Sequence, residues 1–425
     1  MSKYKLFRKA AIAAIIAGPL TAAMATNGYF SHGYGIVAKS MGGAGIAMSS
    51  DAMSLATNPA SGVNIGNGVA FGLDLFMPDR TTVVGSNTGS FGQTAGEYRS
   101  GQREFFVPEF GYNRMLGKDS AIGIVVYGNG GMNTNYGAKV IGGDGTHSNT
   151  YSNLEQLFIA PTYAKKVGTH AFGASLNLIY QAFEVRGLQQ FTGAAYTNDG
   201  TKVTDNGTDT STGYGVKLGW TNEISPNVTL GAVYQSRAKM SKFSKYSGLF
   251  AEQGAFDIPE SYGFGMAIKA SSKATVAIDA TQINYGSVKS IANSGSTFPG
   301  GTTKMGLDDG AGFGWSNMTV LKIGVAYDYR PDLTLRAGYN YGKMPLSTTN
   351  TYFNIIAPAT TEQHLTLGAT WTLSNKSTLT AMYMYAPKAS LNGQVNGAGS
   401  TSNPGYDENL SMSQQSLGVA YSWKY

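Results

Sequence analysis

The sequence predicts an all-β fold: a transmembrane antiparallel β-barrel of about 14 strands with an N-terminal hatch in its lumen. The last strand alternates, with Leu417, Val419, Tyr421, Trp423 and Tyr425 separated by small or polar residues. Similar alternation of apolar and polar residues recurs along the chain. The connections between these segments alternate in length, one short and the next long. A lipid-facing side, a lumenal side, short turns at one end and long loops at the other are what an outer-membrane barrel requires.

Composition agrees with strands rather than helices as the membrane-spanning elements. The chain is 42% hydrophobic with a mean hydropathy of −0.15, and no apolar run after residue 25 approaches the roughly 20 residues of a spanning helix. The 57 glycines and 26 tyrosines suit crowded barrel walls and aromatic girdles. The absence of cysteine excludes a disulfide framework and thiol catalysis.

Residues 1–25 have the order of parts of a secretory signal peptide. A basic start containing Lys3, Lys5 and Arg8 precedes a short apolar stretch and the small-residue site Ala23-Met24-Ala25. Cleavage after Ala23 is also compatible with this pattern. Removal of residues 1–25 leaves 27 basic and 25 acidic residues, so the mature chain is nearly neutral and no nucleic-acid partner is expected.

Residues 26–67 do not alternate and contain glycine turns and short helix-capable segments. They are predicted to form a hatch, or plug, because a fourteen-stranded barrel is wide enough to leak unless it is filled. A periplasmic tail is the alternative. Asn58-Pro59-Ala60, where this segment approaches the first strand, is a common turn sequence and is expected to act as a hinge or gating element.

Residues 68–425 are predicted to form the barrel. The alternating segments lie near 68–80, 103–115, 120–129, 154–166, 170–185, 212–223, 227–240, 258–269, 273–285, 316–329, 332–342, 361–373, 376–386 and 411–425. Six tight turns, including one at Asn375, alternate with seven loops near 81–102, 130–153, 186–211, 241–257, 286–315, 343–360 and 387–410. A soluble sandwich or solenoid would explain the strands but not this alternation.

The loop at 241–257 and its edge place large apolar residues where water should disfavour them. They are Phe243, Tyr246, Leu249, Phe250, Phe256 and Ile258, with Phe191 and Tyr196 in the preceding long loop. Exposed apolar patches commonly bind a partner or ligand, so these residues are predicted to line a groove that captures a hydrophobic ligand. Packing of one loop on another is the alternative.

Three cations alternate toward the lumen: Lys217, Lys322 and Arg336. Each is a candidate to hold an anionic head group by charge-assisted hydrogen bonds. The alternative is pairing with a lumenal acid such as Asp328 or Glu362. Met382 and Met384 are predicted to share a lumenal face, where methionine adapts to varied apolar shapes.

The run Gly128-Asn129-Gly130-Gly131 follows an apolar strand segment. Glycine weakens strand pairing and permits a bend, so this run is a candidate for a lateral opening in the wall. The start of the following long loop is the other interpretation.

Enzyme chemistry is not indicated. The four histidines, His32, His147, His170 and His364, have no spacing that suggests a Ser-His-acid set or a metal site. No catalytic residue, metal or cofactor is therefore predicted. An outer-membrane lipase or protease is disfavoured on these grounds.

Several motifs are spread over nearly the whole mature chain: Gly42-Gly43-Ala44-Gly45, Asp51-Ala52, Asn58-Pro59-Ala60, Val107-Pro108-Glu109, Ile159-Ala160-Pro161, residues 214–220 and 230–234, Phe256-Asp257-Ile258-Pro259 and residues 362–368. In their order and spacing they resemble the FadL family of outer-membrane transporters for long-chain fatty acids and related hydrophobic compounds, which includes TodX-type hydrocarbon transporters.

The resemblance implies passive uptake across the outer membrane of a Gram-negative bacterium. Ligand would be captured by the extracellular loops, held in a lumenal pocket and released sideways into the membrane through a kinked third strand. It also implies a monomer in contact with outer-membrane lipid, assembled by the barrel-assembly machinery. The aromatic start of the hatch departs from the enteric fatty-acid transporters, so fatty acid and hydrocarbon remain alternatives. A general porin for polar solutes is disfavoured by residues 26–67.

Overall fold

A computed structural model describes residues 26–85, 95–141, 148–295, 303–373, 377–395 and 406–425. The predicted signal peptide at residues 1–25 lies outside this part of the chain, as do His147 and the turn residue Asn375.

The strands close into a single antiparallel barrel. Its fourteen wall strands are β1 Gly68–Val84, β2 Phe105–Met115, β3 Ser120–Gly130, β4 Tyr151–Val167, β5 His170–Arg186, β6 Asp209–Ser225, β7 Val228–Gln235, β8 Ser261–Lys269, β9 Ala274–Ile283, β10 Met318–Arg330, β11 Leu333–Gly342, β12 Gln363–Thr372, β13 Ser377–Val395 and β14 Tyr406–Lys424. Each strand pairs with its sequence neighbours, and β1 pairs with β14 from Gly68–Lys424 to Val84–Glu408. The predicted fold class and strand count are confirmed.

Three short strand segments extend the wall at the long-loop end: Gly96–Arg99, Thr134–Asn135 and Lys239–Met240. The predicted continuous strand 227–240 is wrong in its second half. β7 ends at Gln235, and Ala238 then bridges to Ile258 of the following loop. Lys239 and Met240 return to the wall and pair with β6. The chain leaves the ladder at 236–238, a break that period-two alternation does not reveal.

The predicted loop 387–410 is also largely wrong. β13 and β14 continue to pair from Ala389–Met412 up to Val395–Tyr406, beyond a register shift between Ala386 and Ala389. The sequence of this extension is polar. Because the wall strands are expected to have an apolar side that faces lipid, a polar stretch is predicted to be a loop. A ladder that projects past the membrane faces water, so it does not need an apolar side.

The two faces of the wall have opposite character. On β14, Leu417 and Val419 are 51% and 53% exposed on the outside, while Ser416 and Ala420 are buried inside. This pattern repeats around the barrel and matches a lipid-facing exterior. Among the described residues, no helix is long and apolar enough to cross a membrane.

The hatch, residues 26–67, lies inside the barrel. It contains the short helices Ile36–Lys39, Ser54–Thr57 and Gly62–Ile65 and the 3₁₀ turn Pro59–Ser61. The long loops carry the helical segments Ala251–Gly254, Lys289–Ala292 and Thr351–Asn354 and the 3₁₀ turns Gln189–Phe191, Gly200–Lys202, Ser244–Tyr246 and Tyr285–Ser287. The hatch begins near the long loops, where Tyr29 lies against Tyr285, and ends near the short turns, where Asn67 accepts a hydrogen bond from the Met115 amide.

Glycines on ten of the fourteen strands let the wall approach the hatch closely. A Cβ added to Gly338 would collide with the backbone of Met41 and Gly42, and one added to Gly173 would collide with that of Pro59. The glycines in contact with the hatch are Gly111, Gly123, Gly173, Gly219, Gly231, Gly263, Gly265, Gly324, Gly338, Gly368 and Gly418. We call this set the glycine face; it allows the barrel wall to approach the backbone and side chains of the hatch closely.

A buried ionic cluster fixes the middle of the hatch. Nζ of Lys39 lies 2.9 Å from Oδ2 of Asp74 and 3.6 Å from Oε2 of Glu109, and all three side chains are at most 3% exposed. Glu109 also accepts hydrogen bonds from the amides of Gly35 and Ile36, at 3.2 and 2.7 Å. The carboxylate therefore caps the first turn of the hatch helix as well as pairing with its lysine.

Candidate functional site

All six apolar residues predicted for the capture groove are buried. Exposed fractions run from 0% for Phe243, Tyr246 and Ile258 to 7% for Leu249. In this conformation they form the interior of a closed cap of loops, which corresponds to the loop-packing alternative. Phe191 also lies in this cap, where its ring is 5.9 Å from that of Tyr196 and 5.8 Å from that of Tyr352.

Phe183, at the end of β5, is the centre of this cap. Its ring centroid lies 5.7 Å from that of Phe243, 4.9 Å from that of Tyr246 and 4.8 Å from that of Phe250. The Tyr246 hydroxyl donates to the Gly207 carbonyl at 2.8 Å, and burial raises the pKa of Tyr246 to about 12. We call these packed rings and the residues of 243–258 the loop cap.

The start of the hatch joins the loop cap from below. The ring of Tyr29 contacts those of Phe256, Tyr285 and Trp315, at centroid distances of 6.3, 5.4 and 6.1 Å. The Tyr285 hydroxyl donates to the Asn27 carbonyl at 2.5 Å. Hatch and loops therefore share one apolar cluster at the extracellular end of the lumen.

Lys217 on β6 points into the lumen and is 7% exposed. Its Nζ donates to the Ala56 carbonyl of the hatch at 2.6 Å. It also lies 5.5 Å from the ring centre of Tyr34 and 5.8 Å from that of Tyr127, within cation–π range.

Lys322 and Arg336 also face inward, as predicted. Lys322 Nζ approaches the Gly43 carbonyl at 3.5 Å, and its backbone is paired in register with that of Asp279. Arg336 donates to the Thr370 hydroxyl at 2.5 Å. In the described part of the chain, neither these two residues nor Lys217 forms an ion pair with a carboxylate within 4.0 Å.

Lys217 and Lys322 line the same cavity, although they lie on β6 and β10. The cavity has a volume of about 70 Å³ and lies between the hatch and the wall formed by β6 to β10. Its other lining groups include Tyr34, Thr57 and Gln235. The structure thus brings together two of the three predicted cations, while Arg336 does not line this cavity.

The ladder between β2 and β3 is interrupted. Their pairing runs from Met115–Ala121 only to Phe110–Val126. Toward the long-loop end, residues 105–109 of β2 pair with β1 alone. There β3 pairs with β4 alone, as far as the residue pair Gly130–Glu155. Facing backbone edges of β2 and β3 are therefore unpaired with each other, although backbone in lipid normally has every ladder bond satisfied.

The predicted glycine run borders this interruption. Gly130 and Gly131 have φ angles of 99° and 149°, which L-residues rarely adopt, and β3 ends there. The Gly131 carbonyl accepts from Nη2 of Arg80 at 3.3 Å. The run from Gly128 to Gly131 is buried, and a lateral opening at this run stays a prediction.

A chain of buried side-chain amides connects this region to the loop cap. Asn129 accepts from the Ser31 amide and the Tyr34 hydroxyl of the hatch, both at 3.3 Å. Asn129 then donates to Gln156 at 3.0 Å, Gln156 to Gln181 at 3.1 Å, and Gln181 to the Phe256 carbonyl at 3.0 Å. Hatch, bend and loop cap are thus joined by directed hydrogen bonds.

Asn58-Pro59-Ala60 anchors the lower hatch to the wall. Nδ2 of Asn58 donates to the Ile46 carbonyl at 2.7 Å and to the Trp220 carbonyl of β6 at 3.2 Å, while its Oδ1 caps the Ala60 amide at 3.0 Å. Because all of these groups are buried or part-buried, the motif holds the hatch on β5 and β6 in this conformation.

A comparison with protein families agrees with the barrel fold. The family model for "Outer membrane protein transport protein (OMPP1/FadL/TodX)" matches residues 19–425. The chain belongs to this family. The predicted resemblance and outer-membrane location are therefore confirmed, and so is the predicted class of function, outer-membrane transport. No curated protein matches the chain.

Solved structures of other family barrels have the same fold at low sequence identity. The Pseudomonas putida toluene transporter TodX superposes with a TM-score of 0.66 at 20% identity, over 94% of this chain and 100% of TodX. A Pseudomonas aeruginosa FadL homologue gives 0.69 at 14% identity, over 93% and 99%. The Ralstonia pickettii toluene transporter TbuX gives 0.63 at 18% identity, over the same shares.

Sequence reasoning missed three buried polar groups that this family barrel uses to seat its hatch: the ionic cluster at Lys39, the amide chain at Gln156 and a histidine pair, His32–His364. The available signal was a charged or amide residue at an inward position of an otherwise apolar strand, as at Asp74 in β1 and Glu109 in β2. The alternation of apolar and polar residues identifies such side chains as lumenal, but it does not predict which of them contact each other.

Proposed function

We propose that this protein carries long-chain fatty acids or hydrocarbons passively across the Gram-negative outer membrane, from the loop cap to a lumenal pocket and then sideways into the membrane. Family membership supports transport, and the names of TodX and TbuX as toluene transporters support a hydrophobic cargo. The observation that carries the proposal is the interrupted ladder between β2 and β3 beside a lumen that the hatch fills.

A vertical aqueous route is disfavoured by the packing of the hatch. The glycine face brings the wall into close contact with the hatch around most of the circumference, and the ionic cluster at Lys39 fixes the hatch in the centre. A polar solute would have to displace this packing. This geometry argues against the alternative of a general porin.

A lateral route suits the bend in β3. Tyr127 and Asn129 face inward there, and Phe106 is 54% exposed on the outer side of β2. Met382 and Met384 lie in an apolar cluster with Phe105 and Val107 of the unpaired part of β2. Adaptable methionines beside an unpaired edge would accommodate a passing apolar chain.

Capture requires the loop cap to part. Because Phe243, Phe250 and their neighbours are buried in the closed cap, a hydrophobic ligand would replace ring-to-ring contacts there rather than cover a surface already exposed. This exchange allows weak capture followed by transfer inward.

Lys217 and Lys322 are proposed to hold the carboxylate of a fatty acid in the pocket. Support comes from their shared cavity and from the lack of an ion pair to either lysine within the described residues. Arg336 would serve as a secondary cation lower in the lumen. The protein would act as a monomer surrounded by outer-membrane lipid, and its aromatic C-terminal strand would be recognised by the barrel-assembly machinery.

The test is to change Gly130 and Gly131 together to Val. Valine strongly disfavours positive φ, so the bend should straighten and the interruption should narrow. Binding of radiolabelled oleate to cells that display the variant should remain, while uptake should fall. Gly137→Val is the matched control, since Gly137 also has positive φ but has open space around it.

Loss of uptake with retained binding, seen only in the Gly130/Gly131 variant, is the expected result. Wild-type uptake by this variant would place the exit elsewhere. Loss of binding and uptake together, in a barrel that still migrates as a heat-modifiable folded form, would assign the glycines to binding rather than release.

A further inference from the structure

Two histidines stack on each other between the hatch and the barrel wall. His32 belongs to the hatch and His364 to β12; their ring centroids are 5.6 Å apart and their planes are inclined by only 10°. Both side chains are fully buried. The pair is a direct contact between the upper hatch, residues 26–35, and the wall.

The surroundings of the pair favour neutral rings, because both rings are fully buried and only Nδ1 of His364 has a hydrogen-bond partner among the described residues. Asn340 donates through Nδ2 to the Gly42 carbonyl, which turns its Oδ1 toward Nδ1 of His364 at 3.2 Å. Nδ1 of His364 is therefore the nitrogen that donates to Asn340. Within the described residues, this Nε2 and both ring nitrogens of His32 have no hydrogen-bond partner.

The charged groups that face the pair are cations. Lys39 of the hatch and Lys322 of β10 act on His32, and Lys322 also acts on His364. The other polar groups facing His364 are Asn340 of β11 and Gln414 of β14. Burial, together with His364 and Lys39, holds the pKa of His32 well below its usual range. An imidazolium here would be desolvated and would lie near like charges.

We propose that the His32–His364 pair is a pH-sensitive latch: the neutral rings seat the upper hatch, and their protonation releases it and opens the lumen. The proposal rests on the proposed role of the hatch as the closure of the lumen. It adds a condition under which that closure fails and names the two side chains responsible.

The direction of the effect follows from burial. In the released state each ring is in water and has its ordinary pKa of about 6.5. The seated state excludes the proton, so it is stable above that pH and loses stability as the pH falls below it. For each ring, one pH unit below 6.5 shifts the equilibrium toward release by up to about tenfold, or about a hundredfold for both rings.

The experiment measures the conductance of the full mature chain in planar bilayers at about pH 7.5 and about pH 5.5, the lower value remaining above the ordinary pKa of exposed carboxyl groups. The wild-type barrel should be closed at the higher pH and should open frequently at the lower pH. The variant His32→Phe/His364→Phe keeps two stacked rings without ring nitrogens. It should stay closed at both values.

His170→Phe is the matched control, because His170 lies near the short turn after β4 and is exposed. It should open at low pH as the wild type does. A wild type that stays closed at both values overturns the latch and leaves hatch closure intact. Low-pH opening that persists in the double Phe variant overturns the latch as well. A wild type that already conducts at the higher pH overturns hatch closure, and the latch with it. Heat-modifiable migration on gels confirms that each variant is folded.

Discussion

At the scale of single residues, the buried cations bear most directly on the choice of cargo. Lys217 has one carbonyl acceptor at 2.6 Å, two aromatic rings within 6 Å and a cavity beside it. A protonated lysine in such surroundings is stabilised if an anionic group enters the cavity, because its hydrogen bond to a neutral carbonyl is then joined or replaced by one to a charged acceptor. A neutral hydrocarbon offers no such gain.

We therefore expect Lys217→Met to discriminate between fatty acids and hydrocarbons. Binding of a long-chain fatty acid should weaken by roughly tenfold to a hundredfold, the equivalent of about 1.5–3 kcal/mol for a hydrogen bond to a charged group. Binding of an alkane of equal length should change little. Fluorescence titration of both ligands measures the difference, and Lys343→Met, at an exposed loop position, is the control. Equal loss for both ligands would mean that Lys217 supports the hatch rather than the carboxylate.

At the scale of elements, the glycine face determines how tightly hatch and wall fit. Gly338 of β11 faces the hatch backbone at Gly42, and the adjacent residue Ala337 is exposed toward lipid. The same added side chain should therefore have opposite consequences at two neighbouring positions of one strand.

Gly338→Val should displace the hatch without unfolding the barrel. Overpacking of this kind costs about 1–3 kcal/mol, which falls on the hatch–wall contact while the wall ladder remains intact. Single-channel recordings should detect openings that are absent from the wild type and from Ala337→Val. If Gly338→Val stays closed in a folded barrel, the hatch backbone tolerates the shift and the glycine face is not what keeps it sealed.

At the scale of the whole molecule, two layers lie across the lumen: the loop cap above and the hatch below it. They share one apolar cluster through Tyr29, Phe256 and Trp315. Their contributions to closure can be separated because the hatch is a continuous N-terminal segment that no wall strand interrupts.

Deletion of residues 26–57 should raise single-channel conductance several-fold, since the lumen of a fourteen-stranded barrel is wide enough for water once emptied. Planar-bilayer recordings of the deletion variant and the full mature chain make the comparison. A large conductance already present in the full chain would rule out a plug. A deletion variant that folds and stays closed would assign closure to the loop cap.

The fold class, the strand number, the short and long ends of the barrel and the family can all be predicted from the sequence. These depend on local features: period-two alternation fixes which face of each strand meets lipid, and turn residues fix where it stops. The glycines at 128–131 coincide with the end of β3 and with two positive φ angles, because their effect on the backbone is local. The polar extension of β13 and β14 was missed because alternation is diagnostic only where one side must be apolar.

Which inward-facing residues contact one another is visible only in the folded barrel. Lys39 finds Asp74 and Glu109, His32 finds His364, and Lys217 shares a cavity with Lys322 across four strand positions of the wall. Partners this distant in sequence are brought together by the closure of the barrel and the path of the hatch, and no local pattern encodes that path. The burial of the loop cap cannot be predicted from the sequence for the same reason. Whether Phe243 and Phe250 face water depends on how several long loops pack together.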